Sequence, residues 1–251
     1  MVFNSLTFVV FFALVLALHA LPFSWRVKKI NLLLASYLFY AAWNPPFVVL
    51  LWLSTVVDWY AAQRIVHSQI ASRRRAWMLL SVIANLGVLA YFKYGTFLLD
   101  NFRVLMAAAG IDYQPPDFAI VLPVGISFYT FTQIAFLVDC WQGKVKERRF
   151  IPYLLFVTYF PHLVAGPVLH HAQMMPQFAN PTTYRADSNK LALGIAIFTF
   201  GLAKKLLIAD RLGQYADMVF NGVHTGVLPS LYTSWLGVLA YTLQIYFDFS
   251  G

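Results

Sequence analysis

A chain of 251 residues that is 60% hydrophobic and only 11% charged lies far from soluble domains, in which about a quarter of residues are charged. Its net charge of +8 sits in short segments between apolar runs and not along one face, so no nucleic-acid partner is expected. The single cysteine, Cys140, excludes an intrachain disulfide and a cysteine-based metal site.

In chain order, the first apolar run is Leu6 to Phe23. No Lys or Arg precedes it, and Arg26, Lys28 and Lys29 follow, so it reads as a retained membrane helix with the amino terminus outside, not as a signal peptide. A shorter run, Ile30 to Trp43, ends at Asn44-Pro45-Pro46, a compact turn in which proline removes backbone donors. Phe47 to Ala62 and Ala76 to Phe92 are the next spans. Between Tyr94 and Asp117 the apolar pattern is broken by Asp100, Arg103, Asp112 and Asp117, which predicts an interfacial helix and then a Pro115-Pro116 loop. Ala119 to Cys140 and Phe150 to Leu169 follow as two further spans. The mixed stretch from His170 to Asp187, with Pro176 and Pro181, predicts a re-entrant or interfacial element at the outer face. Leu191 to Ala203 is a short span and Leu228 to Phe247 a full one.

Each full run approaches the ~17 to 25 residues that cross a bilayer. The expected fold is therefore all-α, a polytopic membrane helical bundle of about eight transmembrane helices plus interfacial or re-entrant helices, with residues 1–251 as one domain. Trp and Tyr cluster near the span ends, as at Tyr37, Tyr40, Trp43, Trp59, Tyr60, Tyr91 and Tyr94. Strict alternation places Arg26 to Lys29, Arg64 to Arg75, Lys144 to Arg149 and Lys204 to Arg211 inside. Those segments hold 14 of the 18 basic residues, as the positive-inside rule requires. The last run ends at Phe247-Asp248-Phe249-Ser250-Gly251 without a polar tail, which predicts a helix that continues and a chain cut at its carboxyl end.

Four polar places inside or beside the spans ask for an explanation, because an ionisable group near the bilayer centre costs roughly 2.5 to 3.5 kcal/mol. Tyr241, Gln244 and Asp248 share one helix face at i, i+3 and i+7, with Ser250 nearby, and form either an interhelical clamp or the wall of a reaction chamber. Leu122 to Gln133 is a span opened by Pro123 and Gly125, suited to close packing or to a substrate path. His162, Gly166, His170 and His171 lie in a proline-broken segment; adjacent histidines diverge on a helix and no carboxylate is near in sequence, so no metal is expected there. Gly194 and Gly201 signal close packing, while Lys204 and Lys205 either snorkel to the interface or meet the phosphates of an acyl donor.

Taken in order, Trp43-Asn44-Pro45, LPVGISFYTFTQIAFLVDCWQG from Leu122, FPHLVAGPVLHHAQMMPQF from Phe160, GLAKKLLIADRL from Gly201 and YTLQIYFDFSG from Tyr241 resemble the bacterial branch of the membrane-bound O-acyltransferase family that acetylates alginate and similar polysaccharides. The resemblance covers the whole chain. It implies a polar membrane core through which an acyl group passes from a cytosolic thioester, acetyl-CoA or another, to a hydroxyl at the far side, with no bound cofactor and no metal. It also implies a bacterial cytoplasmic (inner) membrane location, lipid contact, and a polysaccharide acceptor reached through periplasmic or extracellular acetyltransferase partners. The family's catalytic histidine lies downstream of the FDFSG block. None of His19, His67, His162, His170, His171 or His224 matches it, so no catalytic residue and no independent activity are expected in this chain. The blocks place Gln133, Gln244, Asp248 and Ser250, and with them Tyr241, in the chamber wall, and leave Lys204 and Lys205 as donor-phosphate candidates. A non-catalytic scaffold and a transporter fragment are the alternatives.

Overall fold

The first helix, α1 (Leu6–Ala20), begins where Ser5 turns its hydroxyl back to accept from the Phe8 amide at 3.2 Å, satisfying one of the orphan donors of a helix start. Structure for the chain comes from a computed structural model that describes residues 5–113, 120–164, 166, 169–180 and 187–251. The expected Pro115-Pro116 loop, Asp117, Ala165, Pro167, Pro181 and Arg185 lie outside the described residues. Every regular element among the described residues is a helix. The chain divides into two compact units, Met1–Tyr184 and Arg185–Gly251.

In the first unit α2 (Trp25–Ala41) and α3 (Pro46–His67) flank the Asn44-Pro45-Pro46 turn, with proline in the first turn of α3, where its missing amide costs nothing. α4 (Ala71–Ala108) runs unbroken for 38 residues, about 57 Å at the helical rise. The separate interfacial helix expected after Tyr94 is therefore corrected: α4 continues through Asp100 and Arg103, because neither residue breaks a helix and no proline or glycine pair intervenes before Gly110. α5 (Ile126–Trp141) starts at Gly125, whose φ of +77° and close approach to the Leu163 carbonyl, 2.5 Å from where a Cβ would stand, both require glycine.

Phe150 to Leu169 is not one helix. The described residues form two short helices, α6 (Phe150–Thr158) and α7 (Phe160–Leu163), because Pro161 cannot donate to the turn before it and the helix breaks at Tyr159. Leu163 lies against Gly125 at the start of α5, whereas α8 (His171–Ala179) begins against Asp139 in the last turn of α5. The segment thus runs the length of α5 and returns to the end it left. Gly166 makes the reversal possible, since a Cβ there would stand 2.3 Å from the His162 Cα. Of the mixed stretch His170 to Asp187, α8 is described, and it starts at the Asp139–Trp141 end of α5, the end that the predicted alternation puts inside, not at the Gly125 end.

That end collects the three basic loops of the unit. Trp59 Nε1 and Gln63 Nε2 both donate to the Arg148 carbonyl at 3.1 Å, and an Arg74 Nη donates to the Trp141 carbonyl at 2.7 Å. In the same loop the Arg149 guanidinium lies 2.7 Å from Glu147 and holds that carboxyl below its usual range. The core between α2, α3, α5 and α6 is built from Tyr40, Leu51, Ile65, Phe136, Leu137 and Tyr153, and α1 joins through Phe8 and Phe11, set edge-on to Phe39 and Phe160 respectively.

In the second unit α9 (Ser188–Ala203), a π-helical turn at Lys204–Ala209 and α10 (Asp210–His224) form one continuous helix, and α11 (Leu231–Ser250) packs antiparallel beside it. The loop expected at Lys204 to Arg211 is replaced by this turn; a π bulge absorbs an extra residue without ending the helix. Gly201 meets the Gly251 carbonyl at 2.4 Å from a would-be Cβ, so the close-packing reading holds there, but Gly194 faces open space and does not share it. Ala71–Ala108 and Ser188–Val223 are the continuous helices among the described residues that are long and apolar enough to cross a membrane.

Candidate functional site

Gln133 sits in the middle of α5, fully buried, and its amide donates weakly to Ser54 Oγ at 3.3 Å and Thr55 Oγ1 at 3.4 Å on α3. Its Oε1 is buried without a hydrogen-bond partner among the described residues. Beyond it, towards the start of α5, a cavity of about 10 Å³ is lined by Tyr129, Thr132, His162 and Gly166, room for one water by size and far below that of a sugar or thioester. At the opposite end a groove of about 490 Å³ opens between Ala71, Ser72, Arg74, Arg75 and Trp141.

The remaining wall candidates belong to the second unit. Tyr241 is exposed and rests edge-on against Phe220, with centroids 5.7 Å apart. Gln244 packs its amide against Gly213, where a Cβ would stand 2.8 Å from Nε2, and its Oε1 is buried without a partner among the described residues. Asp248 receives the Lys205 ammonium at 2.7 Å, and the same ammonium lies 2.9 Å from Asp210. Lys204 is more exposed and reaches only the Ser250 carbonyl, at 3.4 Å. Of the two lysines considered for donor phosphates, Lys205 is thus already matched by two carboxylates.

Three membrane-buried polar groups escaped the four places singled out in the sequence. Asp58 on α3 is buried, and the amide of Asn85 on α4 donates to both its oxygens, at 2.8 and 2.9 Å. Asp139 on α5 accepts from His171 Nε2 at 3.0 Å on Oδ2, and His170 Nε2 lies 2.9 Å from the same oxygen. The expectation that no carboxylate accompanies the paired histidines is therefore corrected. They converge because only His171 is helical: His170 is the extended cap residue, with φ −80° and ψ 136°, so the two rings are not forced apart as on a helix. Both carboxylates stand inside runs identified as spans, and the cost of an ionisable group there was the signal that could have found them.

Comparison with known proteins adds the lineage. A profile of MBOAT, the membrane-bound O-acyltransferase family, matches residues 141–251. The chain is 36% identical over 248 residues to the peptidoglycan O-acetyltransferase of Helicobacter pylori, covering 89% of this chain and 46% of that protein. It is 39% identical over 255 residues to the Probable alginate O-acetylase AlgI of Pseudomonas aeruginosa, covering 100% of this chain and 47% of that protein. A weaker match, 26% over 141 residues, covers 55% of this chain and 34% of the teichoic acid D-alanyltransferase of Bacillus subtilis. The chain spans about half the length of the curated relatives it matches most fully, and no solved structure matches it. By their names the relatives transfer an acyl group to an envelope polymer or alginate, and residues 141–251, which hold the blocks from Phe160, Gly201 and Tyr241, match the membrane-bound O-acyltransferase family.

Proposed function

We propose that this chain forms part of a membrane-bound O-acyltransferase that acetylates an exported or cell-surface polysaccharide. The observation that carries the reading is the similarity to an alginate O-acetylase and a peptidoglycan O-acetyltransferase over nearly all of its length. The donor is a cytosolic acyl thioester such as acetyl-CoA, and the acceptor is a glycan hydroxyl beyond the membrane, reached with extracytoplasmic partners. The chain crosses a bacterial cytoplasmic membrane several times, with its amino terminus outside.

In this reading the residues of the chain supply walls and entry, not the general base. In the first unit Gln133 has a buried carbonyl oxygen without a partner among the described residues, and in the second unit Tyr241, Gln244 and Asp248 share one face of α11, with Ser250 in its last turn; each presents a hydrogen-bonding group of the kind that holds a sugar hydroxyl or thioester in a fixed geometry, the chief requirement for acyl transfer between two bound substrates. Lys204, whose ammonium reaches the Ser250 carbonyl at 3.4 Å but no carboxylate among the described residues, is offered to donor phosphates, and Arg74 and Arg75 line a groove at the end that collects the basic loops.

Deletion of the gene that encodes the chain, followed by measurement of base-labile acetate on the purified surface polysaccharides, tests the proposal. The acetate content should fall and return on complementation with the intact gene. Unchanged acetylation of every envelope glycan would reject the enzyme reading and leave a scaffold or transporter.

A further inference from the structure

We propose that Asp139, His170 and His171 form a binding site for a divalent transition-metal ion of the zinc class, which staples the return of the re-entrant segment to the end of α5. Three donor atoms converge on one point. His170 Nε2 and His171 Nε2 lie 2.9 and 3.0 Å from the same oxygen of Asp139, and the three donor positions lie within 4.8 Å of one another. A tetrahedral ion with bonds of about 2.0 to 2.1 Å needs donor separations of ~3.3 Å, so each histidine–carboxylate separation needs to open by only a few tenths of an ångström to take it.

The donor chemistry selects the ion. Two imidazoles and one carboxylate suit zinc and its neighbours, whereas calcium and magnesium ask for a shell of oxygens. The fourth position is available as well. His171 and Asp139 are nearly closed off, with side chains 6% and 12% exposed, but the His170 side chain is 53% exposed, which leaves one side of the cluster open to water or an exogenous ligand.

The rest of the fold explains why the site would form at this point. The ligands come from two segments, the last turn of α5 and the cap and first residue of α8, that are joined only by the helices and reversal between them. The Phe136 ring lies edge-on at 5.7 Å from His171 and fixes that imidazole from behind, as the apolar shell of a metal ligand does. His170 Nδ1 faces the Ala172 amide at 3.3 Å and Nε2 faces the cluster, so metal on Nε2 moves the ring proton to Nδ1 and gives up that long cap bond.

The test uses the intact protein purified in detergent without chelator. Elemental analysis should find one zinc-class ion per chain. The chelator-treated protein should regain Zn²⁺ with a rise in melting temperature, and Co²⁺ added in its place should give the visible absorption of a four- or five-coordinate site. His170→Ala, on the most exposed ligand and least apt to disturb folding, should weaken Zn²⁺ binding by more than about tenfold, the loss already produced by removing an outer-shell partner. Asp139→Asn should do the same. A protein that carries no metal, is unchanged in melting temperature by chelator or Zn²⁺, and gives no Co²⁺ spectrum would overturn the proposal and leave a histidine–carboxylate hydrogen-bond cluster. Metal retained at full occupancy in both variants would also overturn it, since the ion would then lie elsewhere.

Discussion

At the scale of single residues, the membrane core of the first unit is organised by polar groups whose partners sit on other helices. Asp58 is the clearest, because its carboxylate is 1% exposed and its described donor is Asn85, whose Nδ2 also reaches the Ser81 carbonyl at 3.0 Å. Removing one member of such a pair strands the other in an apolar surround. Asn85→Ala should therefore destabilise the protein by about 1 to 3 kcal/mol, read as a fall in the melting temperature in detergent followed by tryptophan fluorescence. Replacing both, Asp58→Leu with Asn85→Leu, should recover most of that loss, because two apolar side chains of similar size leave nothing unsatisfied. An Asn85→Ala variant as stable as the parent would show that Asp58 does not depend on this amide. The presence of Asp58 and Asp139 within apolar runs was legible in the sequence, whereas their partners were not. Asn85 is 27 residues from Asp58 and His171 is 32 from Asp139, and both pairings depend on helix register and on the path of the returning segment.

At the scale of elements, prolines and glycines told more than charges did. Pro161 and Gly166 mark the break and reversal in the sequence itself, and the run Phe150 to Leu169 could have been read as two pieces on that ground. The charged stretch Lys204 to Arg211 pointed the other way, to a loop, yet the structure keeps it helical because Lys205 is neutralised by Asp210 on one side and Asp248 on the other. This arrangement sharpens the choice between clamp and chamber for Asp248. The three side chains are between 35% and 41% exposed, and ion pairs of that kind contribute about 0 to 1 kcal/mol. If Asp248 serves only to hold Lys205, then in the intact protein Asp248→Asn should leave both protein level and acetylation close to normal. If it belongs to the chamber wall, Asp248→Asn should accumulate normally in the membrane yet lose most acetylation, because a group that positions a substrate acts through its charge and geometry. Asp210→Asn is the control, since it touches the same ammonium but is not among the wall residues, and it should stay active. Equal loss in both variants would assign the effect to Lys205 and remove Asp248 from the wall.

At the scale of the whole molecule, orientation follows from charge, and path from packing. The three basic loops of the first unit, Arg26 to Lys29, Arg64 to Arg75 and Lys144 to Arg149, carry eleven Lys and Arg residues; Trp59 and Gln63 tie the third to the end of α3, and Arg74 ties the second to the end of α5. The positive-inside rule predicts that this end is cytoplasmic. Because the segment after Phe150 returns to it, α8 is then expected on the cytoplasmic side as well, whereas counting Phe150 to Leu169 as a span would put it outside. The two paths differ in a direct measurement. In a Cys140→Ser background, single cysteines at Lys146, Gln177, Asn44 and Asp112 can be challenged on intact cells with a membrane-impermeant maleimide. Asn44 and Asp112, at the ends away from the basic loops, should label on intact cells. Lys146 and Gln177 should stay unlabelled until the membrane is opened, since both lie at the cytoplasmic end and their side chains are exposed there. Labelling of Gln177 together with Asn44 would restore a complete crossing between Phe150 and Leu169 and would contradict the contact between His171 and Asp139, because that contact requires both residues on one side.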